Sequence, residues 1–371
     1  MSDIQIRQKQ DDGLYHKLYV KTTAVQSLLS DTTSNLFGGV NKSAEDGLQT
    51  IINNINKKRV VIIKCIDKNG EPLSGIVASG INGNPSTNSK GLVGGVLTDY
   101  SSATVTLNPK QIDIKSVSVD MTDYIGRIKP KVVQMDTVEE GHIARFTSST
   151  TVQFSNAVKT IDVCCVGGGG GGDVNPSQDV GSGAYAGGGG GGGGEVNNSF
   201  SVAITPNTQY NIAIGAGGDG GSFGLNDIHY SAKDGGDTEA FGLHVSGGRH
   251  ATGSSGGHSL GGGNGGYGKN YQSSGENGGN STATEFNDGT TKYSGGGGGG
   301  GGKSPVGTSI SSGGSGGSPY GGAGAGGNSS APQSGRGYGG GGGGSYGSSS
   351  KSTVPSAGSG HSGLVAIRLH F

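Results

Sequence analysis

The chain has 371 residues, enough for two or three domains. Its formal net charge is −1 and only 14% of its residues are charged, so no basic surface for DNA or RNA binding is expected. Hydrophobic residues other than glycine make up 30% of the chain, and 83 of its 371 residues are glycine. No apolar run approaches about 18 residues, so no membrane insertion is expected.

Residues 1–58 are predicted to form a mixed module that contains short strands and one helix. Ile4 and Ile6 alternate with polar neighbours, which is typical of a strand. Further along, an apolar stripe predicts a helix of about four turns. The stripe consists of Leu48, Ile51, Ile52 and Ile55. Because so short a helix is marginal alone, it packs either on its own domain or against copies of itself, and the sequence leaves both open.

Residues 59–137 are predicted to form a small β-sandwich. The apolar run 59–66 indicates a strand, and the Asn-Gly pair at 69–70 suits the positive φ of a tight turn after it. The other candidate strands are 73–78, 91–97 and 103–107. Each is bounded by Gly, Asn, Pro or Ser, and strands at this spacing are typical of an immunoglobulin-like sandwich.

This segment also resembles the carboxypeptidase-regulatory-like and bacterial Ig-like spacer domains. The resemblance rests on the string Asp67-Lys-Asn-Gly-Glu-Pro-Leu-Ser-Gly-Ile76, followed by Asn88-Ser-Lys-Gly91 and Ala103-Thr-Val-Thr-Leu107. It implies an Ig-like domain that acts as a passive spacer between functional parts.

The cysteines and the N-terminus both favour synthesis in a cytoplasm without a secretion signal. Cys164 and Cys165 are adjacent, so on a strand they point to opposite faces, and Cys65 is distant in sequence. Buried free thiols are therefore predicted rather than disulfides. The N-terminus lacks the basic start and apolar core of a signal peptide.

Residues 138–371 alternate short apolar segments with glycine runs. Thirteen of the 83 glycines precede residue 167, so the other 70 lie between residues 167 and 363. Strands are predicted at 142–146, 152–154, 159–166, 199–204, 209–214, 241–245 and 364–371. The segments 199–204 and 209–214 are predicted to pair as a hairpin. Together these strands are predicted to form one compact sheet core with the glycine-rich segments inserted between them.

This part of the chain resembles the glycine-rich domain of bacteriophage tail-fibre and baseplate proteins. The residues that carry the resemblance are Phe146-Thr-Ser-Ser, Val152-Gln-Phe, Ile161-Asp-Val-Cys-Cys-Val followed by six glycines, Gly194-Glu-Val, Gln209-Tyr-Asn-Ile-Ala-Ile-Gly-Ala-Gly-Gly218 and Ser362-Gly-Leu-Val-Ala-Ile-Arg368. The resemblance implies a tail component or a host-receptor adhesin.

The glycine runs themselves pose a physical problem. Glycine loses more backbone entropy on folding than any other residue, so the runs 187–194 and 295–302 are disordered unless specific contacts offset that loss. One such arrangement is a polyglycine II lattice. Each run is then a left-handed threefold helix, and its backbone groups bond to neighbouring runs that approach closely because no Cβ intervenes. We expect this lattice rather than disorder.

The segments between the glycine runs are rich in Ser, Asn, Thr and Tyr. Binding loops share this composition, because tyrosine supplies rigid contact area and the small polar residues supply adaptable hydrogen bonds. Plain polar turns are the alternative. If the loops bind a receptor, the residues expected to contact it are Tyr271, Tyr293, Tyr320, Tyr338 and Tyr346.

Motifs for catalysis or cofactor binding fail on context, so we expect neither enzyme activity nor a cofactor. Residues 297–304 fit the P-loop expression, but glycine precedes them and Pro305 follows, where the motif needs a strand and a helix. His250 and His258 have no partner acid nearby in the sequence and lack metal-ligand spacing. No metal site is expected.

These features together predict a mostly β protein of three parts. Residues 1–58 would dock to a particle and form a homo-oligomer, favoured as a trimer; residues 59–137 would act as the spacer; residues 138–371 would form the glycine-rich adhesin domain. The expected partners are further copies of the chain, other tail or baseplate proteins, and a glycan or protein receptor on a bacterial surface. The expected location is the tail of a virion or tail-like particle. The alternative is a structural particle component without a receptor site.

Overall fold

The structure is a computed structural model that describes residues 5–9, 15–19, 59–99, 102–127, 129–176, 186–259, 262–269, 274–281, 286, 313–318, 321–324, 331–346 and 354–371. The chain divides into two compact units, residues 1–138 and 139–371. The described residues are mostly β, as predicted, with two short 3-10 helices at Thr122–Tyr124 and Leu225–Asp227.

The N-terminal residues that are described form a two-stranded hairpin. Strands β1 (Gln5–Lys9) and β2 (Tyr15–Tyr19) are antiparallel, with Gln5 opposite Tyr19. The predicted helical stripe of Leu48, Ile51, Ile52 and Ile55 lies outside the described residues.

The described residues 59–138 of the first unit form two three-stranded sheets. Their strands are β3 (Val60–Ile66), β4 (Val77–Ser79), β5 (Leu92–Val96), β6 (Thr104–Asn108), β7 (Val117–Asp120) and β8 (Lys131–Gln134). The sheet orders are β5-β3-β8 and β4-β6-β7. Strand β3 is antiparallel to β5 and parallel to β8. Both sheets contribute to one apolar core, in which Ile63 and Ile76 are fully buried.

Local polar contacts fix the turns of this unit. The Asp67 Oδ1 atom accepts hydrogen bonds from the backbone N–H groups of Asn69 and Glu71, both at 2.8 Å, and Gly70 adopts φ +86°. The buried Thr87 hydroxyl donates to the Leu73 carbonyl at 2.7 Å and accepts the Ile76 N–H at 3.0 Å. The Asn-Gly turn that the sequence predicted is therefore present.

The described residues of the second unit form ten strands. They are β9 (Ile143–Phe146), β10 (Thr150–Val152), β11 (Thr160–Val166), β12 (Val196–Ala203), β13 (Tyr210–Ala213), β14 (Ser222–Phe223), β15 (His229–Tyr230), β16 (Thr238–Ala240), β17 (Leu243–Val245) and β18 (Leu364–His370). They form two four-stranded sheets, β12-β11-β18-β9 and β10-β13-β16-β17, and the small hairpin β14-β15.

Two predictions about these sheets were wrong. The apolar segments form two sheets rather than one, and β12 and β13 do not pair with each other, since β12 pairs with β11 and β13 with β10. The physical reason is a separate aromatic contact on the β13 side. The Tyr210 ring lies 5.8 Å from the Phe154 ring and 5.1 Å from the Phe241 ring, centroid to centroid.

Strands β11 and β18 form the apolar centre of the second unit. They are antiparallel along their full length, from Thr160 opposite His370 to Val166 opposite Leu364. Cys164 and Cys165 on β11 are both buried free thiols, as predicted. Burial raises the pKa of the Cys165 thiol to about 12.

The first glycine run continues directly from β11, and its backbone hydrogen bonds follow a period of three. Successive N–H groups from 167 to 173 donate to three neighbouring segments in turn, over 2.8–3.0 Å. Residues 167, 170 and 173 donate to 195, 192 and 189; residues 168 and 171 donate to 236 and 233; residues 169 and 172 donate to 361 and 358. The partner number falls as the donor number rises, so each of these neighbours runs antiparallel.

The same run accepts hydrogen bonds from three further segments. Carbonyls 168 and 171 accept from the N–H groups of 248 and 251, carbonyls 169 and 172 from 218 and 221, and carbonyls 170 and 173 from 342 and 345. The run thus bonds to six different segments. All its residues are buried, so its polar backbone groups are satisfied inside the protein rather than by solvent.

The run 187–194 repeats this pattern. Residues 188, 191 and 194 donate to 345, 342 and 339, while residues 187, 190 and 193 donate to 269, 266 and 263. A Cβ added at Gly191 would overlap the carbonyl oxygen of Gly170, so the close approach of these segments depends on glycine. The run 295–302 and the P-loop-like residues 297–304 lie outside the described residues.

Candidate binding surface

The five tyrosines predicted as receptor contacts are only partly described. Tyr271, Tyr293 and Tyr320 lie outside the described residues, while Tyr338 and Tyr346 are half-buried. Tyr338 packs against the apolar cluster that contains Cys164 and Leu364, and its ring meets the His361 ring edge-on at 5.3 Å. A substitution at Tyr338 would therefore affect folding as well as any binding.

The most exposed apolar side chains among the described residues of the second unit lie on the 222–230 hairpin, which is formed by β14, the 3-10 helix Leu225–Asp227 and β15. Leu225 is 88% exposed, Tyr230 is 56% exposed and Ile228 is 53% exposed. Isolated exposed apolar residues are common, but three within six residues at one loop form a patch that a partner can cover.

The backbone of this hairpin holds its tip in a specific conformation. Asn226 and Asp227 have φ angles of +60° and +59°, in the left-handed region that Asn and Asp tolerate better than other non-glycine residues. The Gly224 N–H closes the loop by donating to the Ile228 carbonyl at 2.8 Å. Such backbone strain is often found at binding and active sites.

A buried carboxylate anchors the base of the hairpin. Asp173, at the end of the first glycine run, is 1% exposed. Its Oδ1 accepts the Val174 N–H at 2.9 Å and lies 3.1 Å from Nε2 of His229, while its Oδ2 accepts the Gly253 N–H at 2.9 Å. One side chain therefore joins the glycine run to β15 of the hairpin and to the segment around residue 253.

Apolar packing supports the same base. The Phe223 ring lies 5.7 Å from the His229 ring and packs against the buried cluster of Val174, Val354 and Ala357. The hairpin thus has a fixed base and an exposed apolar tip. The sequence contains a signal for this hairpin, the Asn-Asp pair between Leu225 and Ile228, but composition alone groups the segment with the other polar loops.

A second feature is a polar cleft of about 320 Å³ on the second unit. The side chains that line it belong to Asp234, Asp237, Ser246, Arg249, His258 and Ser259. These residues are far apart in sequence, and the hydrogen bonds between glycine segments bring them together: the Gly235 N–H donates to the Gly248 carbonyl at 2.8 Å, and the Arg249 N–H donates to the His258 carbonyl at 2.9 Å.

Backbone donors fix the two carboxylates of the cleft. Asp234 Oδ1 accepts the His250 N–H at 2.7 Å and also contacts Nδ1 of the His250 ring; Asp237 Oδ1 accepts the Gly247 N–H at 2.9 Å. Burial raises the pKa of Asp234, but these hydrogen bonds and the nearby charge of Arg249 outweigh it and lower the pKa overall. The expectation that His250 lacks a partner acid was wrong, because its partner Asp234 lies 16 positions earlier in the sequence.

A third cluster ties the C-terminal strand to the sheet. The His370 ring lies 3.0 Å from Asp162 through Nε2 and 2.8 Å from Glu140 through Nδ1. The hydrogen bond with Asp162 raises the pKa of His370. Burial raises the pKa of Asp162, but the Ser201 N–H, His370 and Arg368 lower it further than burial raises it. Residue spacing does not reveal this contact, because Asp162 and His370 are 208 positions apart in the sequence.

Two searches for other kinds of site gave negative results within the described part of the chain. No group of three or more His, Cys, Asp or Glu side chains there is arranged to hold a metal ion. None of the helices described there has the length and apolar character needed to cross a bilayer.

Comparison with known proteins gives one match. The family model described as a glycine-rich domain matches residues 145–370, which is more than half of the chain. No curated protein sequence matches the chain significantly.

Proposed function

The chain belongs to the glycine-rich domain family, and from that premise we propose that it is a receptor-binding protein of a bacteriophage tail fibre or baseplate, or of a phage-tail-like particle. It attaches the particle to the bacterial host surface and is not an enzyme. The observation that carries the proposal is the 222–230 hairpin, whose exposed apolar tip rests on a buried base. Three exposed apolar side chains within six residues form a patch of the kind that a partner covers.

The glycine-rich region has a mechanical role in this proposal. A hydrogen-bond period of three in the runs 167–173 and 187–194, and six bonded neighbours around the first of them, support a polyglycine II lattice. Such a lattice forms a rigid platform with a small apolar core, so loops can emerge from it in fixed positions. The glycine lattice presents only backbone, which cannot distinguish one receptor from another, and specificity therefore comes from loop side chains such as Leu225 and the five tyrosines.

The remaining parts of the chain complete the arrangement. Residues 1–58 dock to other tail or baseplate proteins and assemble the chain into a homo-oligomer, with a trimer favoured. Residues 59–137 form an Ig-like spacer. Repeated hairpins in an oligomer convert weak single contacts into avidity. The receptor is a glycan or a protein on the bacterial surface.

The test is a binding assay with the full chain, fluorescently labelled, on a panel of intact bacterial strains. Wild-type protein is expected to bind at least one strain. Leu225→Ser is expected to weaken that binding about thirtyfold, the effect of losing a hot spot of about 2 kcal/mol, without changing the melting temperature. The matched control is Val132→Ser, since Val132 is also an exposed apolar residue, at 54%, but lies on β8 of the first unit.

Two outcomes would favour the structural alternative. One is that no strain binds the wild-type chain. The other is that Leu225→Ser and Val132→Ser bind equally well, and that the alanine variant at all five tyrosines also binds as the wild type does. The chain would then be a structural particle component without a receptor site.

A further inference from the structure

The polar cleft described above differs in chemistry from the 222–230 hairpin. All six side chains that line it are polar or charged, whereas the hairpin tip is apolar. Its volume of about 320 Å³ falls at the lower end of the roughly 300–1,000 Å³ typical of ligand pockets. We propose that this cleft binds a saccharide, a second contact with the cell surface beside that of the hairpin.

The distribution of donors and acceptors identifies this ligand class. Asp234 and Asp237 offer carboxylate acceptors, and the Arg249 guanidinium offers donors. The remaining lining groups, the hydroxyls of Ser246 and Ser259 and the ring of His258, can act either way. A ligand with many hydroxyl groups, each both donor and acceptor, satisfies such a mixed lining.

Other ligand classes fit this lining less well. An apolar ligand would bury charged side chains without replacing their hydrogen bonds, which is costly. A small anion would meet two carboxylates, and a metal cation would meet the guanidinium of Arg249. A neutral polyhydroxylated ligand avoids both kinds of repulsion.

The cleft is also preorganised for binding. The hydrogen bonds from the backbone N–H groups of His250 and Gly247 already orient Asp234 and Asp237. Within the described residues, the side chains of Arg249 and His258 form no hydrogen bonds with one another or with their neighbours. Fixed acceptors and available donors on a platform of bonded backbone lower the entropy lost when a ligand binds.

The experiment titrates the full chain with two sets of probes and follows binding by saturation-transfer NMR. The first set is the methyl glycosides of glucose, galactose, mannose and N-acetylglucosamine, which mimic a sugar linked within a surface polysaccharide. The second set is the corresponding free sugars. At least one probe is expected to bind saturably, and preference for the methyl glycoside would indicate the linked form as the source.

Arg249→Ala is expected to weaken that binding about tenfold, the effect of losing one hydrogen bond to a charged group. His258→Ala provides a second variant, since His258 also lines the cleft and is exposed. The matched control is Arg336→Ala, because Arg336 is another exposed arginine of the glycine-rich region and is not part of the cleft lining. Arg336→Ala is expected to bind as the wild type does.

Several results would overturn the inference. They are the absence of saturable binding by any probe, equal binding by wild type, Arg249→Ala and His258→Ala, and saturable binding of inorganic phosphate or calcium without any sugar. Because the titration uses no cells, it is independent of the host-attachment assay. Sugar binding with no cell attachment would contradict the proposed function but support the saccharide site. Cell attachment with no sugar binding would support the proposed function but contradict the saccharide site.

Discussion

The two units of this protein differ in what they bury: apolar side chains in the sheets of the first, and glycine backbone in the runs of the second. The sheets of the first unit enclose apolar side chains, with Ile63 and Ile76 fully excluded from solvent. In the second unit, the runs 167–173 and 187–194 are equally buried but bury backbone. Every N–H of these runs donates to a neighbouring segment, and carbonyls such as those of Gly168, Gly170 and Gly190 accept hydrogen bonds from others. Side-chain packing stabilises the sheets of the first unit, and backbone hydrogen bonding without intervening Cβ atoms stabilises the glycine runs of the second.

The comparison shows that burial and hydrophobicity can be separated. A strand such as β3 is buried because its side chains are apolar, so its position follows from composition. A glycine run has no side chain to transfer from water. It is buried because close approach lets six neighbours saturate its backbone, and the entropy lost by glycine is offset collectively rather than residue by residue.

The largest expected effect comes from removing apolar volume in the first unit. Ile63→Ala should lower the free energy of unfolding by about 2–5 kcal/mol, because Ile63 is fully buried on the central strand of its sheet and the change leaves a cavity. Chemical denaturation of the purified chain measures the effect. The conservative control Ile63→Val should lose only about 0.5–1.5 kcal/mol.

A loss with Ile63→Ala no larger than that of Ile63→Val would mean that side-chain packing does not stabilise this unit. The amide exchange rates of residues 187–194 should stay unchanged in both variants if the two units differ as described. Faster exchange there would show that the distinction between the units fails.

The second prediction reverses the direction of the change by adding volume to the glycine region. Gly191→Ala should lower the free energy of unfolding by about 1–3 kcal/mol, because the new Cβ overlaps the Gly170 carbonyl and forces two bonded segments apart. Hydrogen exchange should be slow across residues 187–194 in the wild type and faster in the variant. Where alanine fits without strain, replacing glycine by alanine normally stabilises a protein, because it restricts the unfolded chain. A loss of stability in Gly191→Ala would therefore indicate close packing at this position.

The matched control is Gly242→Ala. Gly242 lies in the β16-β17 turn at φ +77°, with open space where the Cβ would stand. Its alanine variant is strained only in conformation, at a cost of about 1–2 kcal/mol, and exchange at 187–194 should remain slow. Fast exchange at 187–194 in the wild type, or an unchanged rate in Gly191→Ala, would contradict a bonded lattice there.

The same contrast explains how much of the fold the sequence could predict. The strands β3, β11 and β18 follow from apolar runs, and the mostly β class followed from them. Pairing was harder. The segments that became β12 and β13 were predicted to form a hairpin because they are adjacent in sequence, yet each pairs with a strand from an earlier part of the chain. The Tyr210 contact with Phe154 that helps decide the pairing has no local signature.

The sequence predicted the type of binding surface but not the residues that form it. Loops between glycine runs were expected to carry it, but the sequence favoured tyrosines, and Tyr338 is half-buried against the core. Glycine runs carry no register signal, because every residue is the same. The contact of His250 with Asp234, and the cleft around it, depend on that register and could not be read from residue spacing.

The smallest expected effect tests a cluster of charged side chains on the sheet β12-β11-β18-β9. His370 contacts Asp162 and Glu140, and the hydrogen bond with Asp162 raises the pKa of His370 above its ordinary value. A raised histidine pKa stabilises the fold fully below the unfolded-state pKa of about 6.5. This stabilisation is lost as the pH rises through the folded-state pKa.

The carboxylates set the opposite limit. The Phe371 N–H and His370 lower the pKa of Glu140, and the pKa of Asp162 is also lowered. These two carboxylates therefore stabilise the fold above about pH 4, and this stabilisation is lost as the pH falls through their folded-state pKa values. The cluster should therefore stabilise the protein most between about pH 5 and 6. His370→Gln should lower the denaturation midpoint in that window, and the difference from wild type should shrink as the pH rises through the folded-state pKa of His370.

Midpoints of denaturation at several pH values measure this difference. The control is His258→Gln, which makes the same substitution at an exposed histidine that is not part of this cluster. A His370→Gln deficit that is the same at every pH would assign His370 a packing role alone. A deficit that grows with pH would contradict the expected pH dependence, because it would mean that the neutral ring of His370 binds Asp162 better than the cation does.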